Sequence, residues 1–96
     1  LIEAKKIGIP LQYILFLAIK DIEWGERLVA LFRWNTKLTI NDQKNQLTRI
    51  KKIIRVWDPA ERPYLWYECK ELSPTAMGKF ERSKWQNWLK INHERF

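Results

Sequence analysis

The sequence predicts a small α+β domain. We expect a sheet of about three strands, an antiparallel hairpin plus one further strand, that packs its apolar face on two or three helices. The length of 96 residues leaves room for a single hydrophobic core. Two β-forming stretches lie close together, and two stretches with helical spacing follow, with a third β-forming stretch between them. The order strand, strand, helix, strand, helix is typical of the α+β class.

The first part of the chain predicts a β-hairpin. Leu11–Ile19 is rich in aliphatic and aromatic residues and is too short for a typical helix, so we expect a strand covered on both faces. Asp21–Glu26 contains Gly25 and supplies the turn, and Arg27–Trp34 keeps a β-forming composition. The short connection favours antiparallel pairing. Upstream of the hairpin, Leu1–Lys6 is interpreted as the end of a helix.

An amphipathic helix of about four turns is predicted after the hairpin. Thr39 is the expected N-cap, because its hydroxyl can accept from the backbone N–H of Asp42 three residues later. One side of this helix is apolar and the other is basic. The apolar side carries Leu47, Ile50, Ile53, Ile54 and Trp57, and the basic side carries Lys44, Lys51, Lys52 and Arg55.

The last third of the chain predicts a strand, a loop and a helix. Pro59 and Pro63 are expected to end the preceding helix, since proline cannot continue it. Tyr64–Cys69 is predicted to be the third strand, and a polar loop over Lys70–Gly78 follows. The final helix has Ser83 as its expected N-cap with glutamine three residues later, and its buried stripe is formed by Trp85, Trp88 and Leu89.

Composition and charge limit the classes of function. With 46% hydrophobic residues the chain is not a disordered tail, and its longest apolar run is shorter than the roughly 20 residues that span a membrane. We therefore expect a soluble protein without a membrane partner, and the solitary Cys69 indicates a reducing, cytoplasmic setting. The net charge of +7 favours anionic partners, with phosphates considered first.

No catalytic constellation follows from the residues alone. Cys69 lies within an apolar strand, so we interpret it as a small buried hydrophobe, and His93 as a solvated or locally bonded side chain. One cysteine and one histidine provide no ligand set for a structural metal. The loop that precedes the last helix places Gly78 beside Lys79, and this glycine allows the backbone to approach a ligand closely.

Two motifs in the chain resemble those of a known family. The first is Asp21-Ile22-Glu23-Trp24-Gly25-Glu26-Arg27, and the second consists of Glu71-Leu72, Thr75, Gly78-Lys79 and Arg82. They are similar to the Asp-x-x-Trp-Gly-Glu-Arg hairpin and the closing Glu-Leu-Pro-x-Thr-x-x-Gly-Lys-x-x-Arg motif of the C-terminal domain of AMP-forming adenylating enzymes. This superfamily includes acyl-CoA synthetases, adenylation domains of peptide synthetases, and luciferases. The resemblance covers the chain from about Leu11 to Trp88.

The resemblance implies that residues 1–96 are the C-terminal lid domain of an AMP-forming acid–CoA ligase, a domain that closes over a larger N-terminal domain. The start at Leu1 rather than at methionine leads to the same expectation of a fragment. Such a ligase joins a carboxylate to the α-phosphate of ATP, releases pyrophosphate, and then transfers the acyl group to coenzyme A.

The resemblance also implies the cofactors and partners of the chain. ATP, coenzyme A and Mg²⁺ are implied as cofactors, bound mainly by the N-terminal domain, which is not part of this sequence. The implied partners are that domain of the same chain and a small-molecule carboxylic acid. We therefore expect the isolated 96 residues to be inactive.

The same resemblance implies the site residues. Lys79 matches the family's catalytic lysine, which reaches into the site of adenylation, and Thr75 and Gly78 belong to the same motif near the nucleotide. Arg62 matches the arginine of an aromatic-Lys-Arg-Pro stretch that meets the nucleotide end of coenzyme A. Here that stretch reads Ala60-Glu61-Arg62-Pro63 and lacks the aromatic ring.

A narrower resemblance and a rival interpretation remain open. The tryptophan-rich segment Gly78–Leu89 is similar to 2-succinylbenzoate-CoA ligases, which serve menaquinone or phylloquinone biosynthesis. The rival is a small basic nucleic-acid-binding module without enzymatic activity. Such a module would bind through exposed aromatic rings and the basic side formed by Lys44, Lys51, Lys52 and Arg55. Its binding to nucleic acid would depend strongly on salt concentration. The ligase interpretation, in contrast, expects no nucleic-acid partner.

Overall fold

The computed structural model describes residues 8–21, 23 and 25–93. Within these ranges there are three strands and two α-helices. They are β1 (Leu11–Asp21), β2 (Gly25–Trp34), α1 (Ile40–Ile53), β3 (Leu65–Glu68) and α2 (Arg82–Asn92). Two short 3₁₀ helices, Ile54–Val56 and Pro59–Glu61, lie between α1 and β3. The helix end expected over Leu1–Lys6 lies outside the described residues, as does Trp24 of the first motif.

The three strands form one mixed sheet in the order β1-β2-β3. β1 and β2 pair as an antiparallel hairpin. β3 pairs parallel to β2, because α1 carries the chain back to the end of the sheet at which β2 begins. The α+β class and the sheet of a hairpin plus one strand are therefore confirmed. The hairpin turn is shorter than predicted, since backbone pairing continues to Asp21 and Gly25.

The two helices cover opposite faces of the sheet. The sequence predicted coverage of Leu11–Ile19 on both faces, but it predicted that the sheet as a whole packs one apolar face on the helices. Val29 and Leu31 pack in one core with Trp85 and Leu89 of α2. Phe32 on the other face packs in a second core with Ile50 of α1 and Trp34. The reason lies in β2, where four consecutive apolar residues, Val29 to Phe32, point to alternate faces and are each at most 3% exposed.

Helix α1 begins where the sequence predicts and ends earlier. The Thr39 hydroxyl accepts a hydrogen bond of 3.1 Å from the Asp42 backbone N–H, which confirms the N-cap. The α-helix ends at Ile53, and Trp57 is extended rather than part of the helical stripe. Its ring instead packs edge-on against Phe16, with 5.9 Å between centroids.

Two boundaries in the last third also differ from the prediction. Strand β3 is shorter than Tyr64–Cys69, although the N–H groups of these two flanking residues donate to Leu28 and Phe32 on β2. Glu81 and not Ser83 is the N-cap of α2, because the backbone N–H groups of Lys84 and Trp85 donate to the Glu81 carbonyl. Ser83 therefore lies inside the first turn.

Cys69 is fully buried at the end of β3, as the sequence predicts. Its Sγ lies 3.7 Å from Oε2 of Glu71, to which the thiol can donate. Burial disfavours the thiolate, and the nearby Glu71 carboxylate adds to this effect. Together they raise the pKa of Cys69 from an ordinary value of 9.0 to about 11.

The raised pKa of Cys69 predicts a loss of stability in alkaline solution. In the unfolded chain the thiol ionises near pH 9.0, but in the fold it stays protonated until about pH 11. Its contribution to the free energy of unfolding is therefore complete below pH 9 and is lost as the pH rises to about 11. Urea denaturation of the wild type and of Cys69→Ala measures this, since the variant lacks the titration. Equal pH dependence of the two proteins between pH 8 and pH 11 would contradict the prediction.

Candidate functional site

The loop between β3 and α2 starts from a buried anchor. Leu72 is fully buried in the core that α2 covers, and its N–H donates to the Cys69 carbonyl at 3.2 Å. The Leu72 carbonyl accepts a hydrogen bond of 3.3 Å from the Arg33 guanidinium on β2. The first residues of the loop are thus fixed to the sheet.

The middle of the loop is a turn closed by two backbone hydrogen bonds. The Gly78 N–H donates to the Thr75 carbonyl at 2.9 Å, and the Thr75 N–H donates to the Lys79 carbonyl at 2.8 Å. Gly78 has a φ of +80°, in the left-handed region that disfavours other residues. A Cβ at this position would meet no atom within 4 Å. Glycine is therefore required here for its backbone conformation, and the space around it is open.

The end of the loop is attached to β1. The ring of Phe80 packs edge-on against Tyr13, with 5.9 Å between centroids, and Nη1 of Arg82 donates to the Phe16 carbonyl at 2.7 Å. The Phe16 carbonyl can accept this bond because it is not used in the pairing of β1 with β2. Phe16 lies opposite Ala30, and the backbone groups of even-numbered β2 residues such as Ala30 face β3 instead of β1. Those of Phe16 consequently point away from β2, toward the free edge of the sheet.

Lys79 lies between these attachments, and its side chain is exposed to solvent. Within the described part of the chain, its ammonium group forms no hydrogen bond or ion pair. Met77, two residues earlier, is 84% exposed at the same turn. The turn therefore presents an ammonium group that no described residue neutralises, and such a group can neutralise an anion held by another domain or molecule.

Thr75 and Gly78 lie in the same turn as Lys79, as the motif implies. The structure gives Thr75 a role through its backbone groups, and its half-buried hydroxyl has no hydrogen-bond partner among the described residues.

Arg62 lies apart from this turn, in the segment that precedes β3. Its conformation follows from the local sequence. Asp58 caps the short 3₁₀ helix by accepting from the Ala60 N–H at 2.9 Å, and Arg62 is extended because Pro63 follows it. The Arg62 side chain is half-buried, and its Nε is shielded from solvent without an acceptor among the residues that the structure describes. The four residues that the sequence implicates thus fall into two regions, the turn and the segment before β3.

The attachments of the loop to β1 were not predicted from the sequence. Arg82 belongs to the second motif, but the motif gives no indication that its partner is a carbonyl 66 positions away. Over residues 8–21, 23 and 25–93, no group of three or more His, Cys, Asp or Glu side chains is arranged to hold a metal ion. In the same ranges no helix is long and apolar enough to cross a membrane.

No protein-family model matches the sequence, and no curated protein matches it either. Several solved structures are similar in fold. An amide bond synthetase from Marinactinospora thermotolerans superposes with a TM-score of 0.62 at 13% identity, over 88% of this chain and 16% of that protein. An acyl-CoA synthetase (AMP-forming)/AMP-acid ligase II-like protein from Dyadobacter fermentans gives 0.59 at 19%, over 86% of this chain and 22% of that one.

An acyl-CoA synthetase from Brucella canis gives a TM-score of 0.60 at 14% identity, over 96% of this chain and 17% of that protein. The chain thus spans about a fifth of the length of these proteins. At such identities the likeness concerns the fold, which this chain shares with one part of each of three larger synthetases.

Proposed function

We propose that this chain is the C-terminal lid domain of an AMP-forming acid–CoA ligase and that Lys79 is its catalytic lysine. The observation that carries the proposal is the exposed ammonium of Lys79, without a described partner, on a turn whose sequence matches the closing motif of that superfamily. The fold likeness to two acyl-CoA synthetases and an amide bond synthetase, each several times longer, supports it.

The chemistry explains why a lysine would be needed. When bound, ATP supplies the α-phosphate that a carboxylate attacks, and coenzyme A supplies the thiol that later accepts the acyl group. Two anions approach each other in the first step, and the Lys79 ammonium would donate hydrogen bonds to them and reduce their repulsion. The bonds that close the turn and attach it to β1 would keep the main chain of Lys79 in place relative to the domain.

Because the turn is fixed within the domain, entry of Lys79 into the pocket would require movement of the whole domain. A rigid-body rotation of the lid would bring the ammonium to the anions for adenylation and withdraw it for thioester formation. The N-terminal domain of the same polypeptide would hold most of the ATP and the carboxylic acid, and Mg²⁺ with them. Arg62 would contact a phosphate of coenzyme A, and Thr75 and Gly78 would lie near the nucleotide.

The tryptophan-rich start of α2 supports a narrower proposal for the acid. Its resemblance to 2-succinylbenzoate-CoA ligases suggests that 2-succinylbenzoate is the substrate, in menaquinone or phylloquinone biosynthesis in the cytoplasm. In this domain Trp85 is buried in the core and Trp88 packs beside it, so these rings would serve the fold rather than contact the acid. The acid would therefore have to be identified with the complete ligase.

Replacing Lys79 should separate the two half-reactions of the complete ligase. Lys79→Ala is expected to slow acyl-adenylate formation by about 100- to 1,000-fold, because a charge-stabilising donor is lost from the transition state. Thioester formation from supplied acyl-adenylate should be unchanged. Release of pyrophosphate measures the first step, and release of AMP measures the second. The matched control is Lys70→Ala, since Lys70 is an exposed lysine at the other end of the loop. Equal losses in both steps would contradict the proposal.

Replacing Gly78 tests the conformational requirement of the turn. With a φ of +80° and open space around the position, the cost should depend on backbone preference alone. We expect Gly78→Ala to lower the free energy of unfolding by about 1–2 kcal/mol, Gly78→Asn by less and Gly78→Val by more. Urea denaturation of the 96-residue chain measures this order. Met77→Ala is the control, because Met77 is exposed at the same turn. The same stability for all three Gly78 variants would refute the argument.

A further inference from the structure

We propose that a groove at the carboxyl ends of β2 and β3 binds a small dicarboxylate that also carries an ammonium group, such as an acidic amino acid. The groove has a volume of about 510 Å³, which lies in the usual range for small-molecule sites. Glu68, the last residue of β3, lines it, so the groove and the Arg62 segment lie at opposite ends of that strand. Neither motif contributes a lining residue, and the proposal does not require the chain to be part of a ligase.

The groove follows from the topology of the sheet. β2 and β3 are parallel neighbours, so their carboxyl ends lie at the same edge of the sheet. Beyond that edge the chain goes to opposite faces, because β2 leads into α1, which covers one face, and β3 leads through a loop to α2, which covers the other. Connections that diverge in this way leave a crevice between them, and open parallel sheets bind ligands at such points.

The charges of the groove indicate a ligand of mixed charge. Arg33 and Lys37 line it, and Glu68 is the sole carboxylate among its lining residues. The half-buried carboxylate of Glu68 has no ion pair or hydrogen bond among the described residues, and neither has the ammonium of Lys37. Opposite charges that line one groove without pairing leave room for a ligand between them. Carboxylates of the ligand would meet the cations, and an ammonium group would meet Glu68.

Two of the polar side chains that line the groove are already held in place. Nη1 of Arg33 donates to the Leu72 carbonyl at 3.3 Å, and a guanidinium has further N–H donors that remain for a ligand. Nε2 of Gln43 donates to the Leu38 carbonyl at 3.1 Å, which leaves the amide oxygen of Gln43 as a second acceptor for an ammonium group. Side chains that are ordered before binding lose less conformational entropy when a ligand arrives.

Trp34 gives the groove a built-in reporter. It lines the groove and is 8% exposed, and its indole N–H is shielded from solvent without an acceptor among the described residues. Trp85 is the matched comparison. Its indole N–H is also buried and lacks a described acceptor, but it lies in the core that α2 covers and does not line the groove. A ligand in the groove should therefore change the surroundings of Trp34 and not those of Trp85.

Calorimetric titration of the 96-residue chain with aspartate, malate and succinate at neutral pH tests the proposal. These acids share a four-carbon dicarboxylate and differ only in an ammonium group, a hydroxyl group or a hydrogen at one carbon. We expect one saturable site that binds aspartate about fivefold or more tightly than succinate, with malate between them, because only the ammonium can form a charged contact with Glu68. In NMR spectra aspartate should shift the indole N–H signal of Trp34 and leave that of Trp85 in place.

Two variants separate the contacts. Glu68→Gln should reduce the preference for aspartate over succinate to less than about twofold, since the charged acceptor is lost. Its control is Glu61→Gln, because Glu61 is exposed and does not line the groove. Lys37→Gln should weaken all three acids by about tenfold, since each loses one charge-assisted contact to a carboxylate. The control Lys44→Gln should weaken them by less than about twofold, because Lys44 also lies outside the groove and its charge is screened.

Four results would overturn the proposal. They are the absence of saturable binding, equal affinity for the three acids, tighter binding of inorganic phosphate than of aspartate, and shifts of the Trp34 and Trp85 signals that are equally large. Should Glu68→Gln fail to fold, the series of acids on the wild type still decides the question. Failure of the Lys79 experiment would leave these outcomes unaffected, since binding of the acids is measured without any ligase activity.

Discussion

Burial of β2 on both faces is the constraint on which this small domain depends. Its central residues, Val29 to Phe32, are apolar without alternation, so neither face of the strand can be left to water. One helix must cover each face, and a strand must pair with each edge. β1 pairs with one edge of β2 through the hairpin, and β3 pairs with the other edge after the crossover through α1. The crossover places β3 beside β2, and the two candidate regions lie at the two ends of β3. The Arg62 segment precedes this strand, and the turn that carries Lys79 follows it.

The two candidate regions differ in how the fold holds their charged side chains. At the loop, backbone bonds and two attachments to β1 fix the main chain, and the Lys79 side chain extends from it without a described partner. In the segment before β3, the guanidinium of Arg62 is half-buried, and its Nε has no acceptor among the described residues. A fixed main chain with an ammonium group that no described residue neutralises suits a group that enters a site elsewhere.

Local signals in the sequence were sufficient for part of this structure. The hairpin, the Thr39 cap and the burial of Cys69 were predicted correctly because each depends on neighbouring residues or on a run of apolar ones. The resemblance to a known motif singled out Gly78 and Lys79, and the left-handed conformation of Gly78 explains why a glycine lies at that position.

The features that were not predicted depend on contacts between distant parts of the chain. The N-cap of α2 is Glu81 rather than Ser83, and the flanking Phe80 and Arg82 contact β1. Trp57 lies beyond the end of α1 and packs on Phe16. Arg62 lies next to residues at the end of α1 only when β3 has paired beside β2. The pattern along the chain indicates that α1 has a basic side, but not which residues of that side lie near Arg62.

The bond from Arg82 to Phe16 has a consequence for the behaviour of the chain among its copies. β1 is an edge strand, and unpaired carbonyls along such a strand can template the addition of a strand from another molecule. A guanidinium seated on one of those carbonyls occupies an acceptor and sets a positive charge against any incoming strand. The side chain that attaches the loop before α2 to β1 thereby also discourages intermolecular sheet growth and aggregation.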